Sequence, residues 1–341
     1  MNIETLSRTA FELVAEAVGE IDFYKHSRDR ESLLRARRKL DLALQKDQRY
    51  LQANFYSGVV DDLIGRTKPA IQSLQEVLAA IPQERMETRN QVRYNLAVAI
   101  YHGYGRDSLA RAAEHFRAVL ESSEDLLLRC LAEAGLAQTY AMWEIPPNPD
   151  ERSLDEQRLL ENNFNSSNEM FKSVQAQLAR LAEAGVPEST RREIEGVAWN
   201  AQGMALMYYS DFHGERRSEL LYKARLALER AGQLIPFDWA NTCDQASCLM
   251  RLGYWADDTE AKKKNLAEAR QLLQTVVDTL RPGYPFAKYE IGRACRLEGT
   301  FNEALKLFEE VKAVPKAERD VSDRRIDREI GLTRECSTIY P

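Results

Sequence analysis

Apolar side chains recur along the chain in one repeated stripe: a small residue, a large one four positions on, and a mid-sized one three beyond that. The stripe reads Ala36/Leu40/Ala43, Ala70/Leu74/Val77, Ala112/Phe116/Val119, Ala224/Leu228/Ala231, Ala269/Leu273/Val276 and Ala304/Phe308/Val311, with a weaker copy at Val174/Leu178/Leu181. Spacing of i, i+4, i+7 is one face of an α-helix. From the second copy onward each stripe has a companion helix upstream. That helix carries Gly58, Ala97, Ala137, Gly203, Ala246 or Gly292, a small residue where two helices must approach closely. Twelve residues separate Gly58 from Ala70, and Gly292 from Ala304; Gly65 and Gly299 lie seven past the small residue, where the turn belongs. Pro82, Pro236 and Pro315 follow the stripe's alanine by eleven or twelve residues and stop the second helix. Alternating runs of β-branched residues are missing, so the pattern predicts an all-α chain.

Seven registers of helix–turn–helix resemble the tetratricopeptide repeat, whose unit is about 34 residues. The stretches Leu51–Glu84 and Pro285–Glu318 fit that length without gaps. Leu136, Ala137 and Tyr140 match the family's Leu-Gly/Ala-x-x-Tyr element, and Trp199 and Gly203 match its Trp and Gly. The resemblance implies a right-handed α-solenoid of about seven repeats over residues 1–315, with an insertion and long helix at 144–184. A capping helix and tail over 316–341 follow, with Val321, Ile326 and Ile330 turned inward.

Spacings between successive stripes are 34, 42, 62, 50, 45 and 35 residues, and most of the surplus falls between the first and second helix of a pair. In a solenoid those turns emerge along one edge, often the binding face. The largest insertion begins with the Pro-rich segment IPPNPDER (145–152), after which Ser153 and Glu156 form a capping box. Leu160, Phe164, Ser167, Phe171, Val174, Leu178 and Leu181 then recur at helical spacing. One long helix is predicted from Leu154 to about Glu183, ended by Gly185 and Pro187. Its Asn/Ser-rich stretch 162–168 is expected to face solvent or a partner.

In the family the first helices line a concave groove. Carried over position by position, the resemblance places there Phe55 and Val59; Tyr94, Asn95, Val98 and Tyr101; Asn200, Met204 and Tyr208; Arg251; and Tyr289, Arg293 and Arg296. The family's Lys/Asn device for gripping a peptide carboxylate is replaced here by Phe55, Val59, Tyr94 and Val98. Arg293 and Arg296, three apart on one helix face, can pair with an acidic segment of a partner, in competition with Glu290.

Charge narrows the function. Lys plus Arg total 47 against 53 Asp plus Glu, a formal charge of −6, with no basic stripe. Lys262, Lys263 and Lys264 follow Asp257, Asp258 and Glu260, and the tail from Lys316 to Glu335 holds six basic and six acidic residues. Nucleic acid is therefore not expected as a partner. The amphipathic, acid-bearing start MNIETLSRTAFELVAEAVGE reads as neither signal nor transit peptide, and no apolar run has membrane-spanning length. Cysteines 130, 243, 248, 295 and 336 form no CxxC and read as small core residues of a reduced, cytoplasmic protein.

Chemistry is sparse. Histidines 26, 102, 115 and 213 form no metal-binding spacing, and a metal shared by His102 and His213 would need two distant turns to converge. YHGYGRD lacks the spacing of a phosphate loop, and no G-x-S-x-G occurs. The expectation is a chain that is not an enzyme and takes no cofactor and no metal. It is read as a scaffold or adaptor that binds a protein or peptide partner through its groove and its insertion-bearing edge, without membrane attachment. The competing reading is a sensor or regulatory subunit, or a fragment of a multidomain signalling or defence protein whose effector is a separate domain or chain. Oligomeric state is left open.

Overall fold

A computed structural model describes residues 9–27, 29–103, 106–142, 154–316, 319 and 321–339; of residues 26, 106, 107 and 154 it describes the backbone alone. The described residues form fifteen helices and no strand. In order they are α1 (Ala10–Ser27), α2 (Arg30–Lys46), α3 (Leu51–Leu63), α4 (Thr67–Ala80), α5 (Met86–Tyr101), α6 (Arg106–Ser122), α7 (Leu126–Ala141) and α8 (Leu154–Glu183). Then come α9 (Glu188–Ser210), α10 (Arg217–Leu234), α11 (Trp239–Tyr254), α12 (Thr259–Thr275), α13 (Pro285–Glu298), α14 (Phe301–Ala313) and α15 (Asp323–Ile339). One π turn, Val276–Leu280, prolongs α12.

Local chemistry sets the boundaries. Asp29, Asp238 and Asp258 cap α2, α11 and α12 by accepting from backbone N–H groups of the first turn. Thr9 and Glu12 exchange side-chain-to-backbone bonds of 3.2 and 2.7 Å at the start of α1, a reciprocal cap. Gly65 and Gly299 adopt φ of 89° and 86° and end α3 and α13 in the same way. The N–H of Arg66 donates to Asp61 O at 2.7 Å and that of Thr300 to Cys295 O at 2.9 Å, a left-handed closure that favours glycine. Gly185 (φ 77°) ends α8 where expected. The helices before Pro82, Pro236 and Pro315 stop at Ala80, Leu234 and Ala313.

The chain divides into two compact units between Thr139 and Tyr140. In the first, α1/α2, α3/α4 and α5/α6 pack as helical hairpins; in the second, α9/α10, α11/α12 and α13/α14 do so, and α9 also packs on α8. The terminal α15 lies on α14 and α13, with Ile326 and Ile330 inward and Val321 buried just before it, as the cap was expected to be. Every member of the seven stripes is buried except the partly exposed Leu178 of the weakest copy.

Small residues sit where close approach demands them. A β-carbon added at Gly58 would come within 2.7 Å of Leu74, at Gly203 within 2.5 Å of Leu228, and at Gly292 within 2.7 Å of Phe308. Each predicted glycine thus faces the large residue of its own stripe. Gly135 against Phe116 (2.5 Å) and Gly253 against Leu266 (3.1 Å) make the same kind of contact outside the predicted set.

Layering follows from which helices meet. Within the first unit α1, α3 and α5 each approach the next, as do α9, α11, α13 and α15 within the second; among the described residues no comparably close pair links the intervening second helices. Rods that touch lie on the inside of a curved stack, and rods that fan apart lie outside. First helices therefore form the inner layer of each unit.

The long helix spans Leu154–Glu183 as read from the sequence, but its Asn/Ser-rich stretch is two-sided. Asn163 and Ser167 are buried on the inward stripe between Leu160 and Phe171, while Asn162 and Asn165 are exposed. The 3.6-residue period overrides composition there. The Pro-rich loop 145–152 and Ser153 lie outside the described residues, as does the side chain of His26.

Candidate functional site

On the inner layer of the second unit, α9 sets the first row. Asn200 is only 2% exposed, and its Nδ2 donates to Asn241 Oδ1 at 3.0 Å and to Asp244 Oδ2 at 2.9 Å on α11. Met204 is fully buried in a core with Ala141, Leu221 and Leu228, so it supplies packing and offers no surface. One turn on, Tyr208 is partly exposed, its phenol pushed upward in pKa by burial. The Arg251 guanidinium lies 5.2 Å from the Tyr208 ring centre and pairs with Asp211 at 3.4 Å.

The last rows are occupied by the chain itself. Arg293 Nη1 donates to Glu290 at 2.9 and 3.0 Å, which holds the guanidinium well above its ordinary pKa. Arg296 Nε donates to Glu329 Oε2 on α15 at 2.9 Å, and Arg293 stands 3.6 Å from the other oxygen of that carboxylate. The expected competition with Glu290 is thus real, and Glu329 joins it. Tyr289, 3% exposed, packs 5.7 Å from Phe308, and burial pushes its phenol to about 12.

In the first unit Phe55 is partly exposed and edge-on to Tyr56 at 5.0 Å. Tyr94 lies 6.0 Å from Phe116, and the Asn95 amide donates to Gln91 O at 2.8 Å. Tyr101 is buried beside His102. Of the thirteen groove candidates, Tyr101, Asn200, Met204 and Tyr289 are buried, and the remaining nine keep partial exposure.

Reading the sequence missed Asp211 and Glu329, which pair with Arg251 and Arg296, and Asp244, which accepts from Asn200. Asp244 lies seven residues before Arg251, one helical face, and that spacing could have revealed it. Burial raises its carboxyl to about 7, against the lowering effect of the Asn200 bond. The folded state then holds a proton that the unfolded chain releases near pH 4, so stability falls as pH rises from about 4 to 7 and stays reduced above. Asp244→Asn is expected to leave the melting temperature unchanged near pH 4. At pH 8 it should stabilise the protein by on the order of 2–4 kcal/mol. Parallel melting curves for the two proteins across that pH range would refute the assignment.

No group of three or more His, Cys, Asp or Glu side chains among the described residues could hold a metal ion. His102 Nδ1–H donates to Asp62 at 3.0 Å, and the His213 ring lies tilted against Tyr209 at 4.1 Å, each an ordinary structural contact. Cys130, Cys243, Cys248 and Cys295 are buried, and burial pushes the Cys248 thiol to about 12 and the Cys295 thiol to about 11. Such thiols are poor nucleophiles. A shallow aromatic recess lined by Tyr140, Leu160, Asn163, Phe164, Tyr209 and Phe212 carries no titratable pair suited to acid–base chemistry. No helix among the described residues is long and apolar enough to cross a membrane.

No family model and no curated protein sequence matches the chain. Solved structures similar to it include a tetratricopeptide repeat protein from Parabacteroides merdae, at 12% identity and TM-score 0.46, covering 95% of this chain and 98% of that one. The human IFIT1 dimer with PPP-AAAA is similar at 16% identity and TM-score 0.42, covering 94% of this chain and 76% of that one. The TPR2AB-domain:pHSP90 complex of yeast Sti1 is similar at 16% identity and TM-score 0.32, covering 95% and 98%. By its own hairpins, with a small residue of each first helix seated on the large residue of the second, the chain is a helical repeat protein of tetratricopeptide-like fold.

Proposed function

We propose that the chain is a protein-interaction scaffold that holds an extended protein or peptide segment along the inner layer of its C-terminal unit. One observation carries the reading. Successive inner helices α9, α11 and α13 each deliver a partly exposed side chain with hydrogen-bonding capacity, Tyr208, Arg251 and Arg293, to one face. A row of such groups, one per hairpin, suits a ligand that is itself periodic and extended. The partly exposed Phe55, Tyr94 and Asn95 extend the reading to the inner layer of the N-terminal unit.

The test is capture of the partner by cross-linking in the native cell, comparing the wild-type chain with Arg251→Gln. Removing the guanidinium leaves Asp211 partly exposed and solvated, so the fold should be retained. A captured protein whose affinity drops about tenfold or more in the variant, the worth of one charge-assisted contact, is the expected result. An identical set of cross-linked proteins at identical affinity would refute the groove as the binding face.

A further inference from the structure

We propose that the inner face of the C-terminal unit takes one acidic side chain of its partner between Arg325 and Arg251, against the phenol ring of Tyr208. The proposal rests on the groove reading above and specifies the partner's chemistry at one point. It moves the acid-reading role away from Arg293 and Arg296, because those two are engaged inside the chain by Glu290 and Glu329.

Charge pairing singles out Arg325. On this face Asp211 pairs with Arg251, Glu290 with Arg293, and Glu329 with Arg296. Arg325 is exposed on α15 and has no ion-pair partner among the described residues. Its guanidinium carbon lies 6.0 Å from the Tyr289 ring centre, and its charge is felt at the phenols of both Tyr289 and Tyr208. Arg251 approaches the same Tyr208 ring at 5.2 Å. Two guanidinium groups from α11 and α15 thus flank two aromatic rings from α9 and α13. A glutamate or aspartate fits such a frame, its carboxylate between the donors and its methylene groups on the partly exposed ring of Tyr208.

The balance of charge also selects the ligand class. Among the described residues Arg325 is the arginine of this face with no carboxylate paired to it, so one added carboxylate is neutralised. A phosphodiester chain would bring further negative charges beside Asp211, Glu290 and Glu329 and be repelled. The same face already holds a carboxylate, Glu329, which accepts from Arg296 with the Arg293 charge 3.6 Å away.

The experiment is fluorescence anisotropy of the full chain at neutral pH with a labelled Glu-Gly repeat peptide of about twelve residues, long enough to span three inner helices. Gln-Gly peptide and a single-stranded RNA of equal charge serve as competitors. Arg325→Gln is expected to weaken Glu-Gly binding about tenfold, whereas Arg324→Gln, an exposed neighbour on the same helix, should change it less than twofold. Both variants should melt with the wild type, since Arg325 makes no ion pair that the fold needs. Equal binding by Arg325→Gln and wild type would overturn the acidic site while leaving the groove reading intact, provided that Arg251→Gln still weakens the partner. Undetectable Glu-Gly binding, or displacement by RNA and not by excess unlabelled Glu-Gly peptide, would also overturn it.

Discussion

Phe308→Ala is expected to destabilise the C-terminal unit by about 3–5 kcal/mol, the usual cost of emptying an aromatic site in a packed interior. The ring is fully buried at the junction of α13 and α14, over the bare α-carbon of Gly292 and against Tyr289. Ala304 and Val311 line the same stripe one helical turn to either side. Helices of a stacked array cannot close inward on such a hole without breaking contact with the next hairpin, so most of the cavity should persist. Coupling between repeats is nearest-neighbour, and the loss should appear first as faster amide exchange in α13, α14 and α15. Urea unfolding followed by circular dichroism gives the magnitude. An unchanged midpoint would mean that the ring does not occupy this interface.

Gly203→Val should cost about 2–3 kcal/mol for the opposite reason, overpacking. A β-carbon at 203 stands 2.5 Å from Leu228 Cγ and 3.1 Å from the backbone oxygen of Ala224. Leu228 can rotate away, but the carbonyl cannot, so α9 and α10 must separate. Gly19→Ala is the matched control. Nothing lies within 4 Å of the added carbon on the exposed side of α1, so the substitution should stabilise by about 0.5–1 kcal/mol through helix propensity alone. Thermal melts of both variants separate the two effects. A stabilising Gly203→Val would show that α9 and α10 are not in close contact.

The repeating pattern itself singles out Phe308 as the large member of its stripe and Gly203 as a small companion, and that marks what sequence can decide here. Stripe burial, the Gly58, Gly203 and Gly292 contacts, the left-handed turns at Gly65 and Gly299 and the limits of α8 all follow from interactions within about 40 residues of chain. Gly135 and Gly253 escaped notice because their large partners, Phe116 and Leu266, lie outside the pairing that the stripe implies. Composition misled at 162–168, where Asn163 and Ser167 occupy inward positions of a helix otherwise read as polar surface.

The candidate site was legible only in outline. Listing first-helix residues put Tyr208, Arg251 and Arg293 on one layer, but four of the thirteen candidates are buried side chains, Met204 and Tyr289 among them. A helix-face pattern says which side of a rod a residue occupies. It does not say how deeply the next rod covers that side.

Local periodicity thus determined the class of fold and the positions of the tight contacts, because each depends on the side-chain sizes along one or two adjacent helices. Tertiary structure alone decided which arginine meets which carboxylate. Arg251 finds Asp211 across 40 residues and Arg296 finds Glu329 across 33, pairings set by how hairpins stack and not by any spacing along a single helix. Charges reach several ångströms and accept many partners, so a sequence containing 47 basic and 53 acidic residues is compatible with many pairings until packing selects one.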